Sequence, residues 1–353
     1  MRVLFLQQQP CGRALKYAIG LRSADRSALR LGFAYRGKTL SGFYGSGDEL
    51  FERWWQLDGD LRADLRAALA EFRPDVIHSH NLPDALTVLA LELVDGRIPV
   101  VHDVHDLQSL RRTPYEDGFP EPEDPLALER RAVDGCAGLV TVSEELLAEI
   151  RARHSLPART LVVPNYAVRR DLPETLAPEG RRNGPSQLVY QGTLSTNGGH
   201  YDLRDLFAAI GEQGVELHVY PARPVQGYGD LPGVELHETL TPAELLQELP
   251  RYDLGWAGFN ATLNASHLDT ALPNKAFEYI ACGLPVLTLR HRALARFLGE
   301  RGLGVSLASV DDLSRALDTI DLEELRRRVL AARFEFTFES RIEEVLELYE
   351  AVA

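Results

Sequence analysis

Two α/β domains, each a parallel sheet with helices wound on both faces, are what this sequence predicts. Three observations lead there. Apolar runs of strand length alternate with amphipathic helical stretches along the chain. The alternation stops once, across residues 169–186, and then restarts. A length of 353 residues also exceeds what one hydrophobic core usually serves.

In the first half, strand candidates fall at 2–6, 29–35, 75–80, 99–106, 138–143 and 160–164. Helical patterns lie between them at 60–72, 84–93, 125–136 and 144–154. Within 60–72, Leu61, Leu65, Ala68, Leu69 and Phe72 form one core-facing stripe. Regular strand–helix alternation of this kind calls for a parallel sheet covered on both faces. Residues 169–186 are rich in Pro, Arg, Glu and Gly and predict a linker. Strand candidates then resume at 187–194, 215–221, 234–240, 253–259, 285–289 and 304–308, and helices are expected at 322–334 and 339–352. Two doubly wound domains with a cleft between them follow, and ligands in such sheets sit outside the carboxyl ends of the strands.

Composition narrows the function. The hydrophobic fraction of 45% is ordinary for a soluble globular chain, and no apolar run approaches the roughly 20 residues that cross a bilayer. The first residues predict a strand rather than a signal peptide. Three scattered cysteines, Cys11, Cys136 and Cys282, show no metal or disulfide spacing and fit a reducing cytoplasm. A formal charge of -14 argues against a nucleic-acid partner. Residues 12–40 run the other way, with Arg13, Lys16, Arg22, Arg26, Arg30, Arg36 and Lys38 against Asp25 alone. That island fits either a solvated helix face and loop, or a surface for an anionic or lipid-linked acceptor and peripheral contact with the inner membrane face.

Strand ends carry the candidate chemistry. His78 and His80 alternate with Ser79, so on a strand they share a face. With Asp103 or Asp106 they could bind zinc if the loops converged; otherwise His78 and His102 are packed and hydrogen-bonded near the sheet edge. No other sequence feature supports a metal, and none is expected. His105, at the end of its strand, is expected to face the cleft. The loop after the first strand lacks a dinucleotide fingerprint, and neither a Walker A loop nor a nucleophile elbow occurs. In the second half, Tyr-Gln-Gly at 190–192 leads into a glycine-containing loop ending at His200, which suits close approach to an anion. A short helix follows Leu272, with Lys275, Glu278 and Cys282 on one face. Asn274 and Lys275 at its start suit a phosphate, and Glu278 one turn deeper suits a ribose. The same two charges also fit an ordinary exposed ion pair.

Together these segments resemble the GT-B glycosyltransferases, specifically glycosyltransferase family 4. The resemblance rests on an ordered series: residues 74–80, 101–107, 140–144, 162–165, 188–194, 252–255 and, most specifically, Pro-Asn-Lys-Ala-Phe-Glu-Tyr at 273–279. It implies two Rossmann-like domains, residues 1–168 binding the acceptor and 187–338 the donor, with the helix at 339–353 packed back onto the first. It implies a nucleotide-sugar donor linked to UDP or GDP, a hydroxyl acceptor, retention of anomeric configuration, and no cofactor or required metal. Glu278 would bind the ribose, with Lys275 and Asn274 at the diphosphate. Gly192, Thr193 and the loop to His200 would close around the diphosphate, with backbone near Pro221 at the base. Gly12 and Arg13 would line the phosphate end of the cleft. His105 would lie beside the donor sugar with Asp106 next to it, and His80 and Asn81 on the acceptor side.

The chain departs from the family pattern in three places. The acidic residue usually found eight positions before the ribose-binding glutamate is Thr270 here, beside Asp269. The arginine usual in the loop after Tyr-Gln-Gly is absent, leaving His200 or, on the following helix, Arg204. The usual paired glycines of the first loop are missing. An epimerase of the same architecture, or a non-catalytic nucleotide-sugar-binding protein, remains an alternative.

Overall fold

The computed structural model describes residues 1–24, 28–37, 47, 49–112, 123–174, 176 and 185–353. They form two compact units, Met1–Pro164 with Phe338–Ala353, and Asn165–Thr337.

The first unit runs β1 (Arg2–Gln7), α1 (Gly12–Ser23), β2 (Arg30–Tyr35), β3 (Arg53–Gln56), α2 (Leu61–Phe72) and β4 (Val76–His80). It continues through α3 (Ala85–Val94), β5 (Val100–Val104), α4 (Pro125–Gly135), β6 (Gly138–Thr141), α5 (Glu144–Arg153) and β7 (Arg159–Val162). Its seven strands are parallel in the order β3-β2-β1-β4-β5-β6-β7. All five residues of β4 and of β5 are buried, as expected of central strands covered on both faces. Caps set two helix starts: Asp60 accepts from the Ala63 amide at 2.8 Å, and Ser143 from that of Leu146 at 3.0 Å. Strand β3, Arg-Trp-Trp-Gln, is not among the expected strands; it is a half-exposed edge with no apolar run to betray it.

The basic island does not form one solvated face. Arg13 and Lys16 are buried in α1. Arg22 donates to the carbonyls of Leu50 and Leu29, and Arg30 pairs with Glu52. Arg26 and Lys38 lie outside the described residues. Helix α1 is covered because Phe338 packs on Tyr17, and Ile342 leaves no room for a side chain at Gly20.

The second unit runs β8 (Gln187–Gly192), α6 (Arg204–Gly211), β9 (Glu216–Pro221), β10 (Val234–Leu236), α7 (Pro242–Glu248), β11 (Leu254–Trp256) and α8 (Ala265–Leu268). Then come α9 (Asn274–Ala281), β12 (Val286–Leu289), α10 (Arg292–Arg301), β13 (Gly304–Leu307), α11 (Leu313–Thr319) and α12 (Leu322–Ala332). The last helix, α13 (Ile342–Val352), belongs to the first unit. The second sheet is parallel in the order β10-β9-β8-β11-β12-β13. At Gly255 a side chain would strike the Tyr279 ring at 2.2 Å, so glycine there lets α9 press onto β11.

The boundary falls at Pro164–Asn165 rather than at 168. Tyr166 packs on Phe277 and Phe336, Ala167 bridges Thr337, and Leu172 joins Ala167 and Ala281 in one cluster. The start of the expected linker is thus part of the second core; its residues 175 and 177–184 lie outside the described residues.

Strand order reverses between β1 and β4 in one sheet and between β8 and β11 in the other. Each reversal opens a crevice at the strands' carboxyl ends, which is where doubly wound sheets hold ligands. Among the described residues, no helix is long and apolar enough to cross a membrane.

Candidate functional site

In the second unit the crevice is built by β8, the segment after β11, and the start of α9. Asn165 donates to the Leu272 carbonyl at 2.9 Å, fixing the chain just before α9. Lys275, in the first turn, is 7% exposed, and its ammonium finds no hydrogen-bond partner. Nζ lies 3.8 Å from the Tyr190 ring centroid and 4.8 Å from that of Phe259, so two aromatic faces hold the charge in place of a carboxylate. Burial pulls its pKa down to about 7, against a smaller upward pull from Glu278.

Gly192 ends β8 at φ +129°, and a Cβ there would lie 3.4 Å from Lys275 Nζ. Glycine therefore leaves the ammonium open on that side. Tyr190 Oη donates to the Thr193 carbonyl at 2.7 Å, and the Ala222 amide to the Gly192 carbonyl at 2.9 Å. The second bond ties the segment after the buried Pro221 to the glycine turn.

Glu278 is half-buried and accepts from the Gln191 side chain. Glu278 thus pairs with Gln191, and the simple ion pair with Lys275 is not what forms. Gln191 had no role in the sequence reading, although it lies inside the quoted Tyr-Gln-Gly. Tyr279, also missed, takes the Gln191 amide at 3.0 Å and donates to the Trp256 carbonyl at 3.2 Å, joining α9 to β8 and β11.

His200 lies 3.3 Å from the Asn264 amide nitrogen, with its ring near those of Phe259 and His267. Arg204 is clamped on Asp202 at 2.7 and 2.9 Å. Thr270 is buried and donates to the His267 carbonyl at 2.8 Å. Asp269 accepts from the Arg292 amide at the start of α10. Asn274 is exposed at the mouth of α9.

In the first unit the crevice holds a buried charge cluster. Arg13 reaches both carboxylate oxygens of Asp103, at 2.9 and 3.0 Å from Nε, and donates to Tyr17 Oη at 2.9 Å. Burial by itself would raise the Asp103 carboxyl, but Arg13, His105 and His78 together hold it well below the usual range. Arg13 is consequently spent inside the unit and does not line a phosphate site as expected; Gly12, next to it, opens α1.

His80 and Asn81 are each 1% exposed, which corrects their placement on an acceptor surface. His80 stacks on His78 and Phe5, and burial drives its pKa well below the usual value. Asn81 is a loop clamp: its Oδ1 accepts from the amides of His105 and Asp106 at 3.1 and 3.4 Å, and its Nδ2 donates to the Asp106 carbonyl. It thereby holds the two residues expected at the catalytic position. His105 is 20% exposed at its side chain, with Nδ1 3.6 Å from Asp103, and Asp106 is 28% exposed, 4.0 Å from Arg111.

His78, His80 and Asp103 do converge, within 4.8 Å of one another. Arg13 already neutralises the carboxylate, and His78 Nδ1 shares a 2.6 Å hydrogen bond with Tyr349 Oη from α13. The packed alternative describes His78 and His102, both fully buried, but in the middle of the sheet and not at its edge. Tyr17 and Tyr349, which complete this cluster, carry no sequence signal.

Two Rossmann-like units, the second with a buried cation over its switch point, define the class: this is the GT-B architecture. Residues 13–166 match the family model "Glycosyl transferase 4-like domain" and residues 201–347 match "Glycosyl transferase-like". The chain belongs to the GT-B glycosyltransferases. It is similar in structure to a sucrose-phosphate synthase from Thermosynechococcus elongatus, with a TM-score of 0.67 and 15% identity over 100% of this chain and 99% of that one. It is equally similar to HepE of Anabaena, solved in complex with UDP: TM-score 0.67 and 15% identity over 99% of this chain and 100% of that one. MurG of Acinetobacter baumannii matches with a TM-score of 0.54 and 12% identity over 98% of this chain and 99% of that one. By sequence, no curated protein matches the chain.

Proposed function

We propose that this glycosyltransferase moves a sugar from a UDP- or GDP-linked donor to a hydroxyl acceptor with retention of anomeric configuration. Lys275 carries the reading. A buried ammonium at a helix start, with no anionic partner on its open side, is unfavourable unless an anion arrives, and a diphosphate supplies two. Glu278, one turn deeper, accepts from donors such as ribose hydroxyls, and Gln191 holds its carboxylate for that purpose. Diphosphate and ribose together make one nucleoside diphosphate. The UDP in the HepE complex accords with this donor class.

In the proposed reaction the acceptor hydroxyl attacks the anomeric carbon on the face the diphosphate leaves, and a phosphate oxygen takes its proton. Lys275 and the dipole at the start of α9 stabilise charge growing on the leaving group, so the step calls on no metal and no cofactor beyond the donor itself. Within the first unit, Asn81 fixes His105 and Asp106 just past the end of β5. Substrate positioning supplies much of the rate.

One observation favours a second reading, a nucleotide-sugar-binding protein without transfer. Thr270 stands where the family's acid is expected, and neither it nor Asp269 is free to replace that acid. Thermal-shift measurements over nucleoside diphosphates and their sugars should show a rise in melting temperature for the donor. The Glu278→Ala variant should lose most of that rise; a full rise in the variant sinks the ribose assignment. NMR of donor with candidate acceptors should then show a glycoside formed. Donor consumed without acceptor would indicate an epimerase, and donor bound but never consumed the second reading.

A further inference from the structure

The edge of the second sheet carries a side-chain cluster that the donor site does not use. Strands β9 and β10 are parallel, and their register sets Glu235 directly opposite His218. Side chains on a strand alternate between faces, so His218 and Tyr220 share one face, as do Glu235 and His237. Four side chains therefore meet on one side of the edge: His218 beside Glu235, and Tyr220 stacked on His237 with centroids 4.3 Å apart and planes at 5°. Tyr252 closes the back, its ring 4.8 Å from that of His218 and its hydroxyl 2.7 Å from that of Tyr220.

We propose that His218, Glu235 and His237 form a binding site for a divalent transition-metal ion, zinc above all. The inter-ligand distances match. His218 Nδ1 lies 3.0 Å from His237 Nε2 and 3.4 Å from Glu235 Oε2, and His237 Nε2 lies 3.7 Å from Glu235 Oε1. Tetrahedral zinc with ligands at about 2.0–2.1 Å separates its ligand atoms by roughly 3.3 Å. Two imidazoles and one carboxylate are a zinc donor set, and water completes the fourth position. The contrast with His78, His80 and Asp103 is informative. There an arginine already sits on the carboxylate, whereas the two imidazoles are the ion-pair partners of Glu235 among the described residues. A bound ion would tie the three-residue edge strand β10 to β9 at His218, three residues before Pro221.

Zinc titrated calorimetrically into chelator-treated full-length protein tests this. The expected result is one ion per chain and a higher melting temperature in zinc than in magnesium. His237→Gln and Glu235→Gln alter partly or largely exposed side chains and should leave the fold intact by circular dichroism. Each should weaken zinc by about tenfold or more. Cobalt in place of zinc should give visible d–d absorption that His237→Gln abolishes. Zinc binding that is absent in the wild type, or unchanged in both variants, overturns the proposal and leaves an imidazole–imidazole hydrogen bond at the edge. Neither outcome touches the donor assignment, because no variant alters Lys275, Glu278 or Gly192.

Discussion

Burying an ammonium without a carboxylate costs stability, and Lys275 shows how a binding residue carries that cost. Its pKa in the fold is about 7, below the ordinary lysine value of 10.5. The unfolded chain therefore binds more protons between those limits, and stability rises with pH across that window. Above the unfolded value the penalty is absent; below about 7 it is full. Lys275→Met should raise the unfolding free energy at pH 6 by about 1–3 kcal/mol, seen as a higher urea midpoint, while abolishing the donor-induced rise in melting temperature. A wild-type pH series should show donor affinity falling above pH 7, where binding must take up a proton. Calorimetry at pH 8 in buffers of different ionisation enthalpy would read that proton directly, and a pH-independent affinity with no uptake would contradict the assignment.

At the scale of elements, the site is a meeting of a strand end and a helix start, and two glycines serve it differently. Gly192 adopts φ +129°, a region that side chains rarely enter, and borders Lys275 Nζ. Gly192→Ala should add roughly 1–3 kcal/mol of strain and crowd the phosphate position, so donor affinity should fall along with stability. Gly255 lies beneath α9, where a methyl would meet the Tyr279 ring. Gly255→Ala should lower stability by about 1–3 kcal/mol through overpacking, seen as a lower denaturant midpoint. Its effect on donor affinity should come only through the tilt of α9. Equal losses of affinity in both variants, at matched stability, would show that Gly192 has no local role.

At the scale of the molecule, the chain leaves its first unit at Pro164 and returns to it at Phe338. The returning segment buries Phe338, Ile342, Val345, Leu346, Leu348 and Tyr349, and Tyr349 supplies the hydroxyl for His78. Each of those side chains contributes about 1.5–3 kcal/mol when fully buried, a total of the same order as the usual net stability of a domain. Truncation after Thr337 should unfold the first unit, seen as loss of its cooperative melting transition. A truncated protein that melts like the full chain would mean α13 is dispensable.

The sequence by itself determined the two parallel sheets, because a strand buried on both faces must be apolar along its whole length and such runs are visible without neighbours. It also determined where α9 begins and that Lys275 and Glu278 occupy successive turns, since helix periodicity is local. It did not show β3, a half-exposed edge, nor that residues 165–172 belong to the second core. Tertiary structure alone decided what each charge does. Arg13 and Lys275 look alike in sequence, each in the first turn of a helix. Arg13 meets Asp103 from a strand 90 residues away and is neutralised, while Lys275 meets two aromatic rings and remains available. Pairing of a buried charge depends on groups distant in sequence, and only the folded chain brings them within reach.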